Sequence, residues 1–485
     1  MSSRSVVIVP QTGEPKTEGT LTYKQGETQR EGLRLEEESL EGKMQDTQES
    51  WENVYTKQQR IAKASEKHSG ESLVSVAHHI DVQWMYYAYE LTRKDGAVGI
   101  DGVTASEYEV GLWGRLENLV ELLKSGTYRA PPVKRVYIPK GGSKTEKRPI
   151  GIPTFEDKIL QRAIVMLLEP ILEQEFHDFS YGFRPGKSAH QGLERLRNEI
   201  MDMNGCYVID MDISKYFDTI DHGHLRGMLG RRVSDGVVTR VIGKWLNAGV
   251  MDCGKRLYPG KGTPQGGVIS PLLSNLFLHE VLDEWFVKVV KPRMRGKASM
   301  VRYADDAVIV CELEEDAQRI YKVLGARFEK YGLKLHPEKT RLLDFTKPKS
   351  GQGKGNSSFT FLGFTHYWNK SRKGKWIVGR KTDSSRLKRA IAAVNAWCKS
   401  NRCLKIRKQW EMLKAKLMGH YAYYGMSLNF RSINEFYESV LRVWKKWLSR
   451  RGWKGYVNWD SFREFLKNWP LPKPRIVHSY RLAKL

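Results

Sequence analysis

Two carboxylates stand side by side in Tyr303-Ala304-Asp305-Asp306, with Met300 and Val301 before them and Ala307, Val308, Ile309 and Val310 after them. That pattern predicts strand, tight turn, strand, with both acids at the bend. Adjacent like charges beside an apolar hairpin repel and resist desolvation, so a cation belongs on them. Hard oxygen donors suit Mg²⁺, which takes one or two carboxylates plus substrate phosphates and keeps some waters. Taken alone, an Asp-Asp pair reads as a polar turn, since Asp is common in turns. Its surroundings decide otherwise.

About ninety residues upstream lies a second acidic strand, Cys206-Tyr207-Val208-Ile209-Asp210-Met211-Asp212-Ile213, followed by Ser214-Lys215-Tyr216-Phe217-Asp218. With period two, Asp210 and Asp212 share one face, and Tyr207, Ile209, Met211 and Ile213 share the other. A strand ending in carboxylates beside a hairpin tipped with carboxylates can build a two-metal site. Such sites hold metals ~3.5–4 Å apart, one at the attacking oxygen and one at the leaving oxygen. Between the acidic segments runs Gly262-Thr263-Pro264-Gln265-Gly266-Gly267-Val268-Ile269-Ser270-Pro271. Its glycines let backbone approach a ligand closely, and Gln265 offers an amide to a nucleotide or template.

Acidic strand, Pro-Gln-Gly-Gly turn and Tyr-Ala-Asp-Asp hairpin, in this order, resemble the palm of a reverse transcriptase. More narrowly, the chain resembles the bacterial group II intron reverse transcriptase/maturase family from about Val82 to its C-terminus. Further motifs carry the likeness: Gly99-Ile100-Asp101-Gly102-Val103-Thr104, Pro132-Val133-Lys134-Arg135-Val136-Tyr137-Ile138-Pro139-Lys140, Arg148-Pro149-Ile150-Gly151-Ile152-Pro153 and Ser180-Tyr181-Gly182-Phe183-Arg184-Pro185-Gly186-Lys187-Ser188. Lys339-Thr340-Arg341 and Phe361-Leu362-Gly363-Phe364 close the polymerase. The resemblance implies that Asp212, Asp305 and Asp306 are the catalytic carboxylates holding two Mg²⁺ ions, with Asp212 and Asp305 bridging both and Asp306 supporting. It places Phe217 under the sugar, where a ring crowds a 2′-hydroxyl, and Arg148 and Lys140 on the triphosphate. Lys144 and Lys147 compete with Lys140 for that role. Gln265 would meet the incoming nucleotide or template, and Tyr303 would pack near the primer terminus.

The fold this implies is α+β, a right-hand polymerase. Residues 71–204 would form the N-terminal extension and fingers, 205–368 a palm whose antiparallel sheet carries the acids, and 380–485 an α-helical thumb/maturase domain. Residues 1–70 are polar, with 10 acidic against 6 basic residues in the first fifty, and most of this extension reads as disordered or loosely helical. Pro170, inside an apolar helical run, is expected to begin a new turn. Glu314 to Phe328 has helical period, and Ser350 to Ser358 reads as a loop.

Charge is unevenly placed. Of 81 Lys/Arg and 55 Asp/Glu, residues 347–485 hold 32 and 6, so the preceding 346 residues balance at 49 of each and the whole net charge of +26 lies in the last part. Phosphate-backbone binding by counterion release accounts for such an excess. In the same region, 9 of the 14 Trp fall after residue 367, interleaving aromatic with basic residues. Ile433, Phe436, Tyr437, Val440, Leu441, Trp444 and Leu448 form one helical stripe. Lys445, Lys446 and Arg450 lie off it and are the candidate RNA-binding residues.

Five cysteines without Cys-x-x-Cys spacing argue against a disulfide framework or zinc ribbon. No apolar run is long enough to span a bilayer and no signal peptide is evident, so a cytoplasmic protein, nucleoid-associated when acting on DNA, is expected. After Phe364 only Cys398 and Cys403 remain, without a His-rich cluster, which predicts a form lacking the family's C-terminal endonuclease. The expected partners are group II intron RNA, an RNA template with DNA primer, and deoxynucleoside triphosphates. Two other readings stay open: a splicing cofactor with an idle polymerase, and a domesticated enzyme of repair or defence.

Overall fold

The computed structural model describes residues 52–139, 146–203, 205–252, 254–258, 260–262, 266–349, 357–452 and 455–479. Residues 1–51, Lys140, Lys144, Gln265 and residues 350–356 of the loop expected over Ser350 to Ser358 lie outside the described residues.

Helices run over residues 52–67 (α1), Val82–Glu90 (α2), Ala105–Glu109 (α3), Leu112–Ser125 (α4), Phe155–Leu172 (α5), Ala189–Asp202 (α6), Tyr216–Thr219 (α7), His222–Gly230 (α8), Gly236–Asn247 (α9), Ser270–Leu278 (α10), Glu314–Glu329 (α11), Ser384–Ser400 (α12), Ile406–Tyr424 (α13), Phe430–Leu448 (α14) and Trp459–Asn468 (α15). Strands are Val133–Pro139 (β1), Lys147–Ile152 (β2), Gly205–Met211 (β3), Val250–Asp252 (β4), Lys255–Leu257 (β5), Ala298–Tyr303 (β6), Asp306–Cys311 (β7), Arg341–Thr346 (β8), Ser358–Phe361 (β9), Phe364–Lys370 (β10) and Trp376–Thr382 (β11). Helices are thus mixed with largely antiparallel sheets. The chain forms two compact units: residues up to Ser188 with Ile213–Val289 and Gly325–Lys334, and Ala189–Asp212 with Val290–Leu324 and Leu335–Leu485.

In the first unit, α5 is capped by the Thr154 hydroxyl, which accepts from Asp157 N–H, and buries Ile159, Leu160, Ala163, Ile164, Leu167, Leu168 and Leu172. A helix apolar on nearly every side belongs inside a core. It also runs through Pro170 to Leu172, so the expected new turn at Pro170 is not formed. Proline normally breaks a helix by stranding the carbonyl four residues back. Here that carbonyl is Met166 O, and the Gln58 side-chain amide of α1 donates to it at 3.0 Å. Within the stretch read as disordered or loosely helical, α1 is a helix that buries Val54 and Ile61. The first unit's sheet has the order β2-β1-β4-β5, with β1 antiparallel to β2 and parallel to β4.

The second unit holds an antiparallel sheet of order β6-β7-β3-β8, so β3 lies between two partners. Helix α6 packs on β3 and β6 through a face of Leu193, Leu196 and Ile200, and it also touches β11. A second sheet, β11-β10-β9, follows. The turn joining β9 to β10 has Leu362 at φ 49° and Gly363 at φ 78°. Two consecutive left-handed residues are what a two-residue type I′ hairpin requires. Beyond it, α12 to α15 share a core centred on Leu413, Leu417, Tyr421, Ile433, Trp444 and Phe462.

Candidate active site

The expected hairpin forms. Tyr303 pairs with Asp306 across a turn of Ala304 and Asp305, and Ala304 takes φ 56°, the left-handed backbone such turns need. A fully buried arginine braces it: Arg302 is 0% exposed and its Nη1 donates to Ala304 O at 3.0 Å. On the neighbouring strand, Met211 pairs with Ala307. The next step of that register carries Asp212 and Asp306.

Asp212 sits just past the end of β3, held by main-chain contacts on both sides. Its carbonyl accepts from His336 N–H at 2.8 Å, and its own N–H donates to the Thr340 hydroxyl oxygen at 3.4 Å. Lys339 Nζ lies 2.9 Å from Asp212 Oδ2. Asp210, opposite Arg341 in the β3–β8 register, has Arg341 Nη2 at 3.3 Å. Its acidity is nevertheless weakened: burial raises the pKa, Arg341 opposes this, and Asp212 adds to it.

Asp306 carries the largest perturbation of the group. It keeps solvent-accessible surface at the end of β7, yet protein crowds its carboxylate, and its pKa is pushed up to about 6. Desolvation is the main cause, followed by repulsion from Asp305, Asp212 and Asp210, with Arg386 opposing. These groups meet in a polar concavity of about 380 Å³, walled by Asp210, Asp212, Asp306, Lys339, Arg341 and Arg386. The β9–β10 turn completes the wall at Phe361, Leu362 and Gly363. Tyr423 of α13 fixes that turn by donating from its hydroxyl to Leu362 O at 2.9 Å.

The other candidate residues fall elsewhere. Arg148 is exposed on the edge strand β2, opposite Ile138. Phe217 is half-buried on α7 in the first unit, its ring 5.3 Å from that of Tyr216. The flanking glycines of the glycine-rich segment pack closely on their own chain. A Cβ on Gly262 would fall 2.9 Å from Phe217 O, and one on Gly266 would fall 2.5 Å from Gly151 O. On α14, Lys446 and Arg450 are exposed over the Trp447 ring. Lys445 is half-covered, with Nζ 4.9 Å from the Trp459 ring and 5.5 Å from that of Tyr456.

Sequence reasoning missed Lys339, Arg341, Arg386 and Arg302 as site residues. Lys339 and Arg341 were visible as a motif without a role. Arg386 looked like one more basic residue of a helix, and nothing local marks Arg302 as buried. One more donor set converges in the first unit, where atoms of His177, His279 and Glu284 lie within 4.8 Å of one another. Glu284 is already paired with Lys288 and accepts from His177 Nε2 at 2.8 Å, which makes this a charge-balanced knot beside the π-turns at His279–Asp283 and Phe286–Val290.

A family model described as reverse transcriptase (RNA-dependent DNA polymerase) matches residues 138–366. Protein YkfC of Escherichia coli (strain K12) is 33% identical over 350 residues, covering 65% of this chain and 88% of YkfC. The group II intron-encoded protein LtrA of Lactococcus lactis subsp. cremoris is 32% identical over 285 residues, covering 59% of this chain and 47% of LtrA. A putative COX1/OXI3 intron 1 protein of Saccharomyces cerevisiae is 27% identical over 392 residues, covering 70% of this chain and 46% of that protein. The chain belongs to the reverse transcriptases, in the family of group II intron-encoded reverse transcriptases and maturases. It spans about half the length of LtrA and of the yeast intron protein.

Reverse transcriptases use divalent metal ions, and the acidic concavity fits them. It gathers the carboxylates of Asp210, Asp212, Asp306 and Glu338, burial and then repulsion from neighbouring acids raise Asp306 to about 6, and the cations of Lys339 and Arg341 already occupy positions that a metal ion would contest. No helix among the described residues is long and apolar enough to cross a membrane.

Proposed function

We propose that the end of β3 and the tip of the β6–β7 hairpin, which open into this concavity, form a two-Mg²⁺ polymerase centre, with Asp212, the turn residue Asp305 (outside the concavity's lining) and Asp306 as the metal carboxylates. The observation that carries this is the shifted Asp306, raised to about 6 by burial and by three neighbouring acids. Bound Mg²⁺ supplies charge neutralisation at the attacking and leaving oxygens of an in-line phosphoryl transfer. The protein's part is placement. Thr340 and His336 fix the backbone of Asp212, Arg302 fixes the hairpin turn, and Lys339 and Arg386 offset surplus negative charge beside the carboxylates. Exposed Arg148 is suited to bidentate contact with the triphosphate of a deoxynucleotide, and the Phe217 ring excludes a 2′-hydroxyl. In this reading the first unit holds the fingers, and the second combines the palm's acidic sheet with the helical thumb. The basic C-terminal helices bind intron RNA and assist splicing and mobility. The buried free thiols Cys206, Cys311 and Cys398 suit a reducing cytoplasm.

The test is extension of a DNA primer on an RNA template with Mg²⁺. Asp212 and Lys339 are both partly exposed, and surface pairs contribute only about 0–1 kcal/mol, so Asp212→Asn should fold normally. It should lose extension by on the order of 100-fold or more. Extension at wild-type rate by that variant would refute the assignment.

A further inference from the structure

The polymerase half is formally neutral, yet one face of the first unit is not. A broad concavity of about 660 Å³ is lined by Arg129, Arg240, Lys244 and Arg256, and no carboxylate lines it. The four cations come from three segments: the loop after α4, one face of α9, and β5. Arg240 and Lys244 stand four residues apart on α9, where like charges destabilise a helix. The fold holds them there without neutralising them. Lys244 Nζ donates to the carbonyls of Gly126 at 2.6 Å and Tyr128 at 2.7 Å, and Arg256 Nη2 donates to Ala248 O at 2.8 Å. Carbonyls orient a cation and leave its charge in place. The Arg240 guanidinium occupies the space beside Gly126, where a Cβ would come within 3.5 Å of its Nε. The carboxylate reached by neighbouring Tyr128 and Trp245 is Asp157, which is buried and bonded to both, and to the Gln161 amide as well.

We infer that this concavity is a second nucleic-acid site, binding the backbone phosphates of RNA. Its open shape, wider than a single phosphate, suits a chain of them. Phosphodiester oxygens accept the donors that the Arg129, Arg240 and Arg256 guanidinium groups still present, and Arg binds phosphate in a forked geometry. The one aromatic ring in its lining, Tyr128, is buried and hydrogen-bonded to Asp157, so the exposed groups are mainly the guanidinium donors, which read backbone and not sequence. The inference rests on the RNA-binding reading above only in its choice of ligand.

The experiment titrates fluorescein-labelled poly(U) at several salt concentrations, using the full chain. Arg129→Gln, Arg240→Gln and Arg256→Gln are combined, leaving Lys244 with its carbonyls. The background is Lys445→Glu, Lys446→Glu, Arg450→Glu, which removes the C-terminal contribution. The expected result is on the order of tenfold weaker binding at low salt and a salt slope shallower by roughly 2. The matching triple Arg→Lys variant should keep the slope. Unchanged affinity and slope in the Gln variant overturn the inference, as does equal loss in the Lys variant, which would make shape and not charge responsible. Displacement of poly(U) from this site by inorganic phosphate at matched ionic strength also overturns it, in favour of a small-anion site. If instead wild-type protein fails to bind poly(U), the RNA-binding reading itself falls, which is a separate outcome.

Discussion

In the proposed metal role, Asp306 would set the pH at which the acidic centre takes up a cation. Its pKa lies near 6 because burial and three acids oppose ionisation, and a metal binds the carboxylate and not the acid. Protons and metal therefore compete. At limiting Mg²⁺, primer extension should rise as pH increases through about 6 and level off above about 7, and saturating Mg²⁺ should move the midpoint downward. Asp210→Asn removes one of the repelling charges, so its midpoint should also fall. A flat profile between about pH 5 and pH 7, or a midpoint indifferent to Mg²⁺, contradicts this account. The carboxylates themselves were legible in the sequence because their spacing on strand and turn is local. Arg386 and Arg302 were not: Arg386 reaches the site from α12, and Arg302 becomes a turn brace only when its strand is buried.

Among the elements, β10 and β11 carry a buried pair that couples stability to pH. His366 faces Arg380 across the register. It is 0% exposed and stacked on Phe359 with ring centroids 4.7 Å apart. Burial, and secondly Arg380, lower its pKa from 6.5 to about 3. Below pH 6.5 the unfolded chain binds a proton that the folded chain refuses, so stability falls as pH drops from about 6.5 toward about 3. One such group contributes about 1.4 kcal/mol per pH unit. His366→Phe keeps an aromatic ring on Phe359 and removes the titration. Its urea midpoint should fall less between about pH 6 and pH 4 than that of the wild type, and equal falls would contradict the assignment. Periodicity found the β6–β7 hairpin, α11, α12 and α14, each with a continuous apolar face. It left α1 undecided between disorder and a loose helix, because Val54 and Ile61 stand seven residues apart in a polar segment. It misread Pro170 because the compensating Gln58 amide comes from α1, distant in sequence.

Over the whole molecule, chemistry and charge are placed apart in sequence. The acids lie between residues 210 and 306, and the +26 excess lies after residue 346. On α14 the buried stripe is Ile433, Phe436, Val440, Trp444 and Leu448, and Lys446 and Arg450 project from the opposite side over Trp447. Reversing Lys445, Lys446 and Arg450 should therefore spare the core and weaken RNA binding, with a salt slope shallower by roughly 2. The most direct measurement of the central claim is Mg²⁺-dependent primer extension on a short, saturating RNA template, read beside intron RNA affinity for the same preparations. Asp305→Asn should lose extension by on the order of 100-fold and keep wild-type RNA affinity, whereas the charge-reversed variant should do the opposite. Extension that survives Asp305→Asn in a folded protein would contradict the claim that these carboxylates perform the polymerisation.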